Sequence, residues 1–268
     1  MKKYASNLYG ELDMPEDFIE LTQLMLRKDL HRKSGSETLR VRYWRGQSNV
    51  NWRLDSGAYR RVQRDLRPGQ DVNDEIRNYE TRLLDYATHQ GYRYHEGRDL
   101  SDFELLAKLQ HHGAATRLID FSCSALTALW FCVSSLPDDM GLLIGLNTRY
   151  IGGGEKQVHN LTYEEIISAC DKYTNPSLWD SPSTTSRISA QNAQFIYSKI
   201  GEHKAGSLMT FYEGDVNSFI PISPKLKVEC SEILSNVYNI RKSTLFPDID
   251  GFGAANAADQ DQWNMTRW

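Results

Sequence analysis

Cysteine is scarce in this chain: four in 268 residues, at Cys123, Cys132, Cys170 and Cys230. None sits in a C-x-x-C pair. That argues against both a disulfide scaffold and a structural zinc site, and no metal is expected. Cys132, inside ALWFCV, reads as a small buried hydrophobe. No apolar run approaches the ~18 residues that span a bilayer. The opening MKKYASNLYGELD has two lysines but no apolar stretch behind them. The expectation is therefore a cytoplasmic chain with reduced thiols, no signal peptide and no membrane partner. Positive charge is not in excess, since the net charge is −4. A protein-wide basic footprint for nucleic acid is thus missing. Also missing are G-x-x-x-x-G-K-[ST], H-E-x-x-H and G-x-S-x-G. Gly152-Gly153-Gly154 lacks dinucleotide-binding spacing and reads as a turn.

What is present is a globular composition, 40% hydrophobic and 25% charged, without repeats. Residues 15–27 read as a helix, with Phe18, Leu21 and Met25 at helical spacing behind Pro15. Residues 38–45 alternate as a strand, placing Leu39, Val41, Tyr43 and Arg45 on one face. Val72, Ile76, Tyr79, Leu83 and Tyr86 mark an amphipathic helix over 71–90. Ser101 and Glu104 form a capping box ahead of a helix that Gly113 ends. TRLIDF reads as a short buried strand and GLLIGLN as another strand, with the mostly apolar helix SALTALWFCVSS between them, capped by Ser122 or Ser124. Residues 163–172 and 230–240 read as helices; QFIYSKI, LMTFYE and FIPI read as strands. The stretch 173–187, rich in Ser, Thr and Pro, reads as a loop. Strands and helices mix without βαβ repetition, which predicts an α+β fold.

Charge is unevenly distributed. Between Arg27 and Arg67 stand twelve Lys or Arg and four Asp or Glu, a local +8 that suits a phosphate-bearing partner as well as a solvated face. Arg45 ends an otherwise apolar strand face. It either pairs with a core carboxylate or holds a phosphate in its planar fork, with Gly46 beside it permitting close approach. In the segment 105–133, polar groups interrupt an apolar run. Arg117 and Asp120 form a local buried ion pair or belong to a site, and His111 meets a helix C-terminus or does chemistry. In the C-terminal STLFPDIDGFGAANAADQ, Leu245, Phe246 and Ile249 are apolar anchors and Pro247 suits the first turn of a helix. Asp248 and Asp250 then sit near its N-terminus in a structural role.

Four stretches, in this order, resemble the FRG domain family. WRGQ at 44–47 is followed by Trp52, Leu54 and Arg60. QHHGAATRLIDFS at 110–122 is similar to the family's Q-H-Y-G-x-P-T-R-L-L-D-W-T, and ALTALWFCV to the helix after it. RISAQNAQF at 187–195 is similar to R-x-x-x-Q-x-G-x-F, and STLFPDIDG at 243–251 to L-F-P-D-L-D-G. The departures are Trp44 for Phe, His112 for Tyr, Ala115 for Pro, Phe121 for Trp, Ser122 for Thr and Ala193 for Gly. The resemblance implies a helical N-terminal extension over 1–37, the domain itself over 38–255 and a tail over 256–268.

The layout further resembles ADP-ribosyltransferases of the Arg–Ser–Glu type, which implies a mixed-sheet core with peripheral helices and NAD as co-substrate. Tyr43-Trp44-Arg45-Gly46 stands where Y-R-G is expected, with one extra residue. Ser122 and Ser124 precede Ala128-Leu129-Trp130-Phe131, an A-x-x-F. Gln191 takes the place of the glutamate, and it brings no charge. This resemblance implies that Arg45, Gly46, Gln47, Thr116, Arg117 and Ser122 hold NAD, while Gln191, Asp120 and His111 are catalytic. It implies an enzyme, a toxin of an anti-phage or toxin–antitoxin system, that passes ADP-ribose to a nucleic acid, RNA favoured, or to a protein. An antitoxin protein is then a further partner. The alternatives are an NAD glycohydrolase and a silent NAD-binding module of a defence complex.

Overall fold

The computed structural model describes residues 1–27, 33–34, 37–38, 41–153, 161–182, 185–212 and 216–257. Leu39, Arg40, Gly154 and the tail from 258 onward lie outside these residues. The chain begins with an antiparallel hairpin, β1 (Lys2–Ser6) and β2 (Gly10–Met14), and helix α1 (Phe18–Met25). After the short pair β3 (Lys33–Ser34) and β4 (Glu37–Thr38) come β5 (Val41–Gln47), α2 (Gly57–Gln63) and α3 (Val72–His89). Next are the pair β6 (Tyr94–His95) and β7 (Arg98–Asp99), α4 (Asp102–His111), β8 (Ile119–Ser122), α5 (Ala125–Val133) and β9 (Gly141–Asn147). The second half holds β10 (Gly152–Gly153), α6 (Tyr163–Cys170), β11 (Ser177–Trp179), α7 (Ser186–Ala190) and β12 (Ala193–Tyr197). It closes with β13 (Ile200–His203), β14 (Gly206–Leu208), β15 (Ser218–Ile222), α8 (Pro224–Asn236), α9 (Lys242–Leu245) and α10 (Ile249–Ala255).

Seven of these strands form one mixed sheet in the order β10-β11-β12-β8-β5-β9-β15, and the fold class is α+β. Only β10 and β11 run parallel; the remaining neighbours are antiparallel. β9 is buried at every position, which is why its sequence is a continuous apolar run rather than an alternation. Leu142, Ile144 and Leu146 join one core with Tyr43, Leu54, Phe121 and Phe219. Leu143 faces the other side, where Trp44, Leu129, Cys132, Ile222 and Leu226 pack under α5 and α8. A third core, around Phe103, Leu106, Trp179 and Tyr197, holds α3, α4 and α6 to the β11–β12 side of the sheet.

Caps fix the helix starts. Ser101 and Glu104 satisfy each other's backbone N–H groups as the sequence spacing predicts, and Thr162 with Glu165 does the same for α6. Ser124, not Ser122, caps α5, because its side chain accepts from Thr127 N. Asp17 caps α1, so Pro15 stands outside the helix. Among the described residues of 1–37, the helical part is Phe18–Met25, with the β1–β2 hairpin ahead of it. α8 starts six residues before the expected 230, because Ser223 caps it and Pro224 takes the first turn.

Three local readings change in the structure. The stretch 173–187 contains β11, since Ser177-Leu178-Trp179 is buried and pairs with β12. Three residues are too few to show a strand period. Among the described residues of LMTFYE, Leu208 alone is strand, the last residue of β14. In β5 a register shift between Val41 and Tyr43 breaks the alternation. Val41 therefore shares a core with Trp44, and Tyr43 joins the core on the other face. Gly46 is required by packing rather than by a ligand: a Cβ there would run into Ala128 O and lie 2.5 Å from Cys132 N. Helix α5 rests directly on β5 at this point.

The expected pairing of Arg117 with Asp120 does not form. Arg117 turns away from the sheet edge into a buried network with Glu80 of α3 and Tyr163 of α6. Its N and Nε each donate to a Glu80 oxygen at 2.5 Å, its Nη2 donates to Tyr163 Oη at 2.6 Å, and Tyr163 Oη donates to Glu80 Oε2 at 2.6 Å. Burial works against the charge on Arg117, but Glu80 outweighs it and keeps the guanidinium firmly protonated. Glu80 is fully buried. The pair serves to lock α3 and α6 to the segment that leads into β8 rather than to bind a ligand. A period rule could not find it, because the partner stands 37 residues upstream, on helix α3. Replacing Glu80 by Gln leaves a buried cation without its counter-charge. The expected loss is about 3–5 kcal/mol, read as a lowered melting temperature and a lower denaturant midpoint. Unchanged thermal unfolding of Glu80→Gln would contradict this assignment.

Candidate functional site

The site begins with a break in the sheet. β5 and β8 pair at a single position, Trp44 with Ser122, and then part. Into the gap goes the Arg45 side chain, whose Nη1 donates to the backbone carbonyl of Asp120 at 2.7 Å. A cleft of about 440 Å³ opens there, between the β5–β8–β12 surface and the α4, α5, α7 and α9 ends. It is lined by Arg45, Gly46, Gln47, His111, Asp120, Ser122 and Gln191, together with the rings of Trp52, Phe131 and Phe246. The structure thus brings seven of the nine sequence-derived site residues to one cleft. Thr116 and Arg117 are not among its lining. Thr116 lines a neighbouring cleft, and Arg117 lies in the Glu80 network.

Arg45 is the central cation. Burial disfavours its charge, the carboxylate of Asp120 favours it, and Arg60 opposes it. Its Nε is sealed from solvent and has no hydrogen-bond partner, and Gln47 Oε1 is in the same condition. Buried polar atoms without partners are uncommon and costly, so both atoms are suited to meet a bound molecule. Asp120 is reached by solvent from the cleft yet is crowded by protein. Crowding pushes its carboxyl above the ordinary carboxylate range, while Arg45 and the Gln110 amide pull it back. Gln110 positions it: Nε2 donates to Asp120 Oδ1 at 2.8 Å, and Thr116 Oγ1 donates to Gln110 Oε1.

Ser122 is held in place by two bonds. Its Oγ donates to Gln191 O at 2.7 Å and accepts from Ser124 N at 2.9 Å. Gln191 is the C-cap of α7 and lines the cleft, but its Nε2 donates to Leu245 O at 3.0 Å. That bond ties the RISAQ segment to the C-terminal LFPD segment, which is a structural use of the amide.

Three cleft-lining side chains have no site role in the sequence reading: Gln110, Arg187 and Phe246. Arg187 forms a two-pronged ion pair with Asp248 at 2.8 and 2.7 Å and lies over the Phe246 ring at 4.7 Å. Asp248 also caps α10 through Gly251 N, and its Oδ2 is 3.5 Å from His111 Nε2. Asp248 therefore knots three motifs together, and its bond to Arg187 holds its carboxyl below the ordinary range. All three residues lie in motifs the sequence displays. Only the tertiary contact singles them out. Pro247 and Ile249 depart from expectation: Asp248 is the cap, so the helix starts after Pro247, and Ile249 is 81% exposed rather than an anchor.

His111 is mostly buried, and its imidazole titrates below the ordinary value of 6.5. Burial is the main cause, followed by the positive charge of Arg187 and of His112; Asp248 and Asp250 act in the opposite sense. At neutral pH it is a neutral ring able to take a proton. His111, His112 and Asp250 each offer a ligand atom within 4.8 Å of the others. His112 and Asp250 are exposed, and metal–ligand bonds of about 2.0–2.2 Å need a tighter grouping. Histidine titration by NMR checks the site's electrostatics. The His111 resonance is expected to titrate below 6.5 in the wild type. It should move down again in Asp248→Asn, which removes an attracting charge. A wild-type value above 6.5 would contradict the geometry.

Among the described residues, no helix is long and apolar enough to cross a membrane. No curated protein and no solved structure matches the chain. A family model does match, the FRG domain, over residues 40–140. The matched stretch carries Arg45, Gln110, His111, Asp120 and Ser122, the floor of the cleft; Arg187, Gln191 and Asp248 stand beyond it. Residues 40–140 of this chain match the FRG domain, and strand β5 within that stretch supplies the cation of the cleft.

Proposed function

We propose that this cleft binds NAD and transfers its ADP-ribose to an acceptor, with RNA the favoured class. The observation that carries the reading is Arg45: a guanidinium with a sealed, unpartnered Nε, at the parting of two strands, facing a cleft with aromatic walls and one carboxylate on its floor. A pyrophosphate suits such a fork. Trp52, Phe131 and Phe246 offer ring faces for a base. Ser122 offers a fixed hydroxyl to a ribose. In the transfer, the bond from ribose C1′ to the nicotinamide nitrogen breaks and nicotinamide leaves with the electron pair. C1′ then bonds to an acceptor nitrogen or oxygen, whose proton passes to Asp120 or to neutral His111. The catalytic contribution rests on fixing the two reactants and on countering the charge that develops on ribose. A defence setting and an antitoxin partner belong to the same proposal and rest on the resemblance alone.

One observation favours a second reading, hydrolysis of NAD or binding without turnover. Gln191 spends its Nε2 on Leu245 O and supplies no charge, so the glutamate role falls to Asp120. Incubation with NAD labelled in the adenylate part, in the presence of total lysate, separates the readings. Label in RNA is the expected result; label in free ADP-ribose selects hydrolysis, and unconsumed NAD that binds selects the silent module. Arg45→Ala should lower NAD consumption by at least a hundredfold, on the scale of losing an electrostatic stabiliser. The acid limb of the rate profile should lie above the ordinary carboxylate value of 3.8, since the Asp120 carboxyl is raised, and Asp120→Asn should abolish it. Failure of NAD to bind at all overturns the proposal.

A further inference from the structure

Behind the wall of the cleft lies a second one, of about 560 Å³. Arg45, Gln110 and Asp120 line both and form the partition between them. The second cleft gathers three more arginines, Arg60, Arg61 and Arg64, from α2 and its C-terminal cap. These come from the basic stretch 27–67, whose charge the sequence leaves unassigned between a solvated face and a phosphate partner.

The arginines here are not balanced by carboxylates. None of Arg60, Arg61 and Arg64 has an ion-pair partner among the described residues. Arg60 Nη1 donates only to the backbone carbonyl of Asp55 at 2.8 Å, and Arg61 lies over the Tyr79 ring at 5.1 Å. Arg60 and Arg64 stand four residues apart on one helix face, an arrangement in which like charges repel. Asp55 does not relieve them, because its carboxylate is already engaged: one oxygen accepts from Arg53 Nε at 2.9 Å and the other from Ser207 N at 2.7 Å. Asp120 is shared with Gln110 on the partition. The cleft floor is made of small residues, Gly113, Ala114 and Ala115, which leaves room for a chain to lie across it.

We propose that this arginine cleft holds the phosphodiester backbone of a single-stranded RNA and presents the next nucleotide over the Arg45–Asp120 partition to the first cleft. The proposal rests on the transfer reading above for what happens next, but the binding itself does not require it. Four guanidiniums around one cleft suit successive phosphates better than a single small anion, and each is a fork that a phosphate can fill with two bonds. The adjoining first cleft then keeps NAD and acceptor within reach of each other, with Arg45 serving both.

The test is binding of a fluorescent single-stranded RNA oligonucleotide, by anisotropy, alongside calorimetric NAD binding. Arg64→Glu is the main variant, because Arg64 makes no ion pair that the fold depends on. Arg60→Gln is the second, with melting temperatures recorded for both. Arg64→Glu should weaken RNA binding by at least tenfold at low salt. It should also make the slope of log affinity against log salt shallower by about 0.7 for the lost contact, with NAD affinity unchanged. RNA affinity that survives Arg64→Glu overturns the proposal even if label enters RNA elsewhere on the protein. A parallel fall in NAD affinity also overturns it, since the cleft then belongs to the dinucleotide. Inorganic phosphate that displaces RNA at equal concentration overturns it in favour of a small-anion site. RNA binding lost in Arg64→Glu while the wild type never consumes NAD supports the cleft and removes the transfer reading instead.

Discussion

The candidate site depends on one hydrogen bond that stands where a strand pairing should be. Beyond Trp44 and Ser122, β5 and β8 no longer pair, and the Asp120 carbonyl accepts a hydrogen bond from the Arg45 guanidinium instead. A backbone carbonyl at a strand separation must find a partner or lose the stabilisation of one. Arg45 meets that need with one arm, and its length keeps the two strands apart. The gap it spans is the origin of both clefts, and the side chain forms part of the partition between them. Gln110 braces the same point from α4 by holding the Asp120 carboxylate. On the opposite side of β5, Gly46 lets α5 lie close enough to keep the strand from shifting.

Among the described residues, cations that tie elements together contrast with a second group that lines a cleft. Arg117 with Glu80, Arg93 with Asp102 and Arg187 with Asp248 are matched by carboxylates and tie elements together. Lys227 is buried without a carboxylate. Its Nζ donates to the carbonyls of Ser48, Ser135 and Leu136, and so fastens α8 to the ends of β5 and α5. Burial lowers its affinity for the proton, and the three carbonyls satisfy it. Arg60, Arg61 and Arg64 belong to the second group, cations on the wall of a cleft with no carboxylate in ion-pair contact. This division separates what the fold uses from what remains available to a ligand.

Much of the site was legible because its residues cluster in short motifs: Arg45 at the end of an apolar strand, Asp120 and Ser122 within a buried strand, His111 at the end of a capped helix. Their convergence is geometric, yet each stands where the change from apolar run to polar side chain marks it. Arg117 was misread for a physical reason. Its separation from Asp120 by three residues suggests a local pair, but Leu118 packs into the core around Phe103 and β8 starts at Ile119, so Arg117 meets Glu80 while Asp120 lines the cleft. Gln191 was read as a group facing ribose, and its amide proves to donate to a backbone carbonyl supplied 54 residues later.

The sequence by itself determined the α+β class, the capping box that starts α4, and β9 as a strand. These follow from spacing and local hydrogen bonding, which need no distant partner. The pairing of Arg187 with Asp248, the enclosure of Glu80, the single contact between β5 and β8, and the gathering of α2 arginines behind Asp120 were decided only by tertiary structure. Each joins residues far apart in the chain, and a side chain's charge says that it needs a partner without saying which. That choice is made by the packing of helices on the sheet, which sets the few directions in which a long side chain can reach.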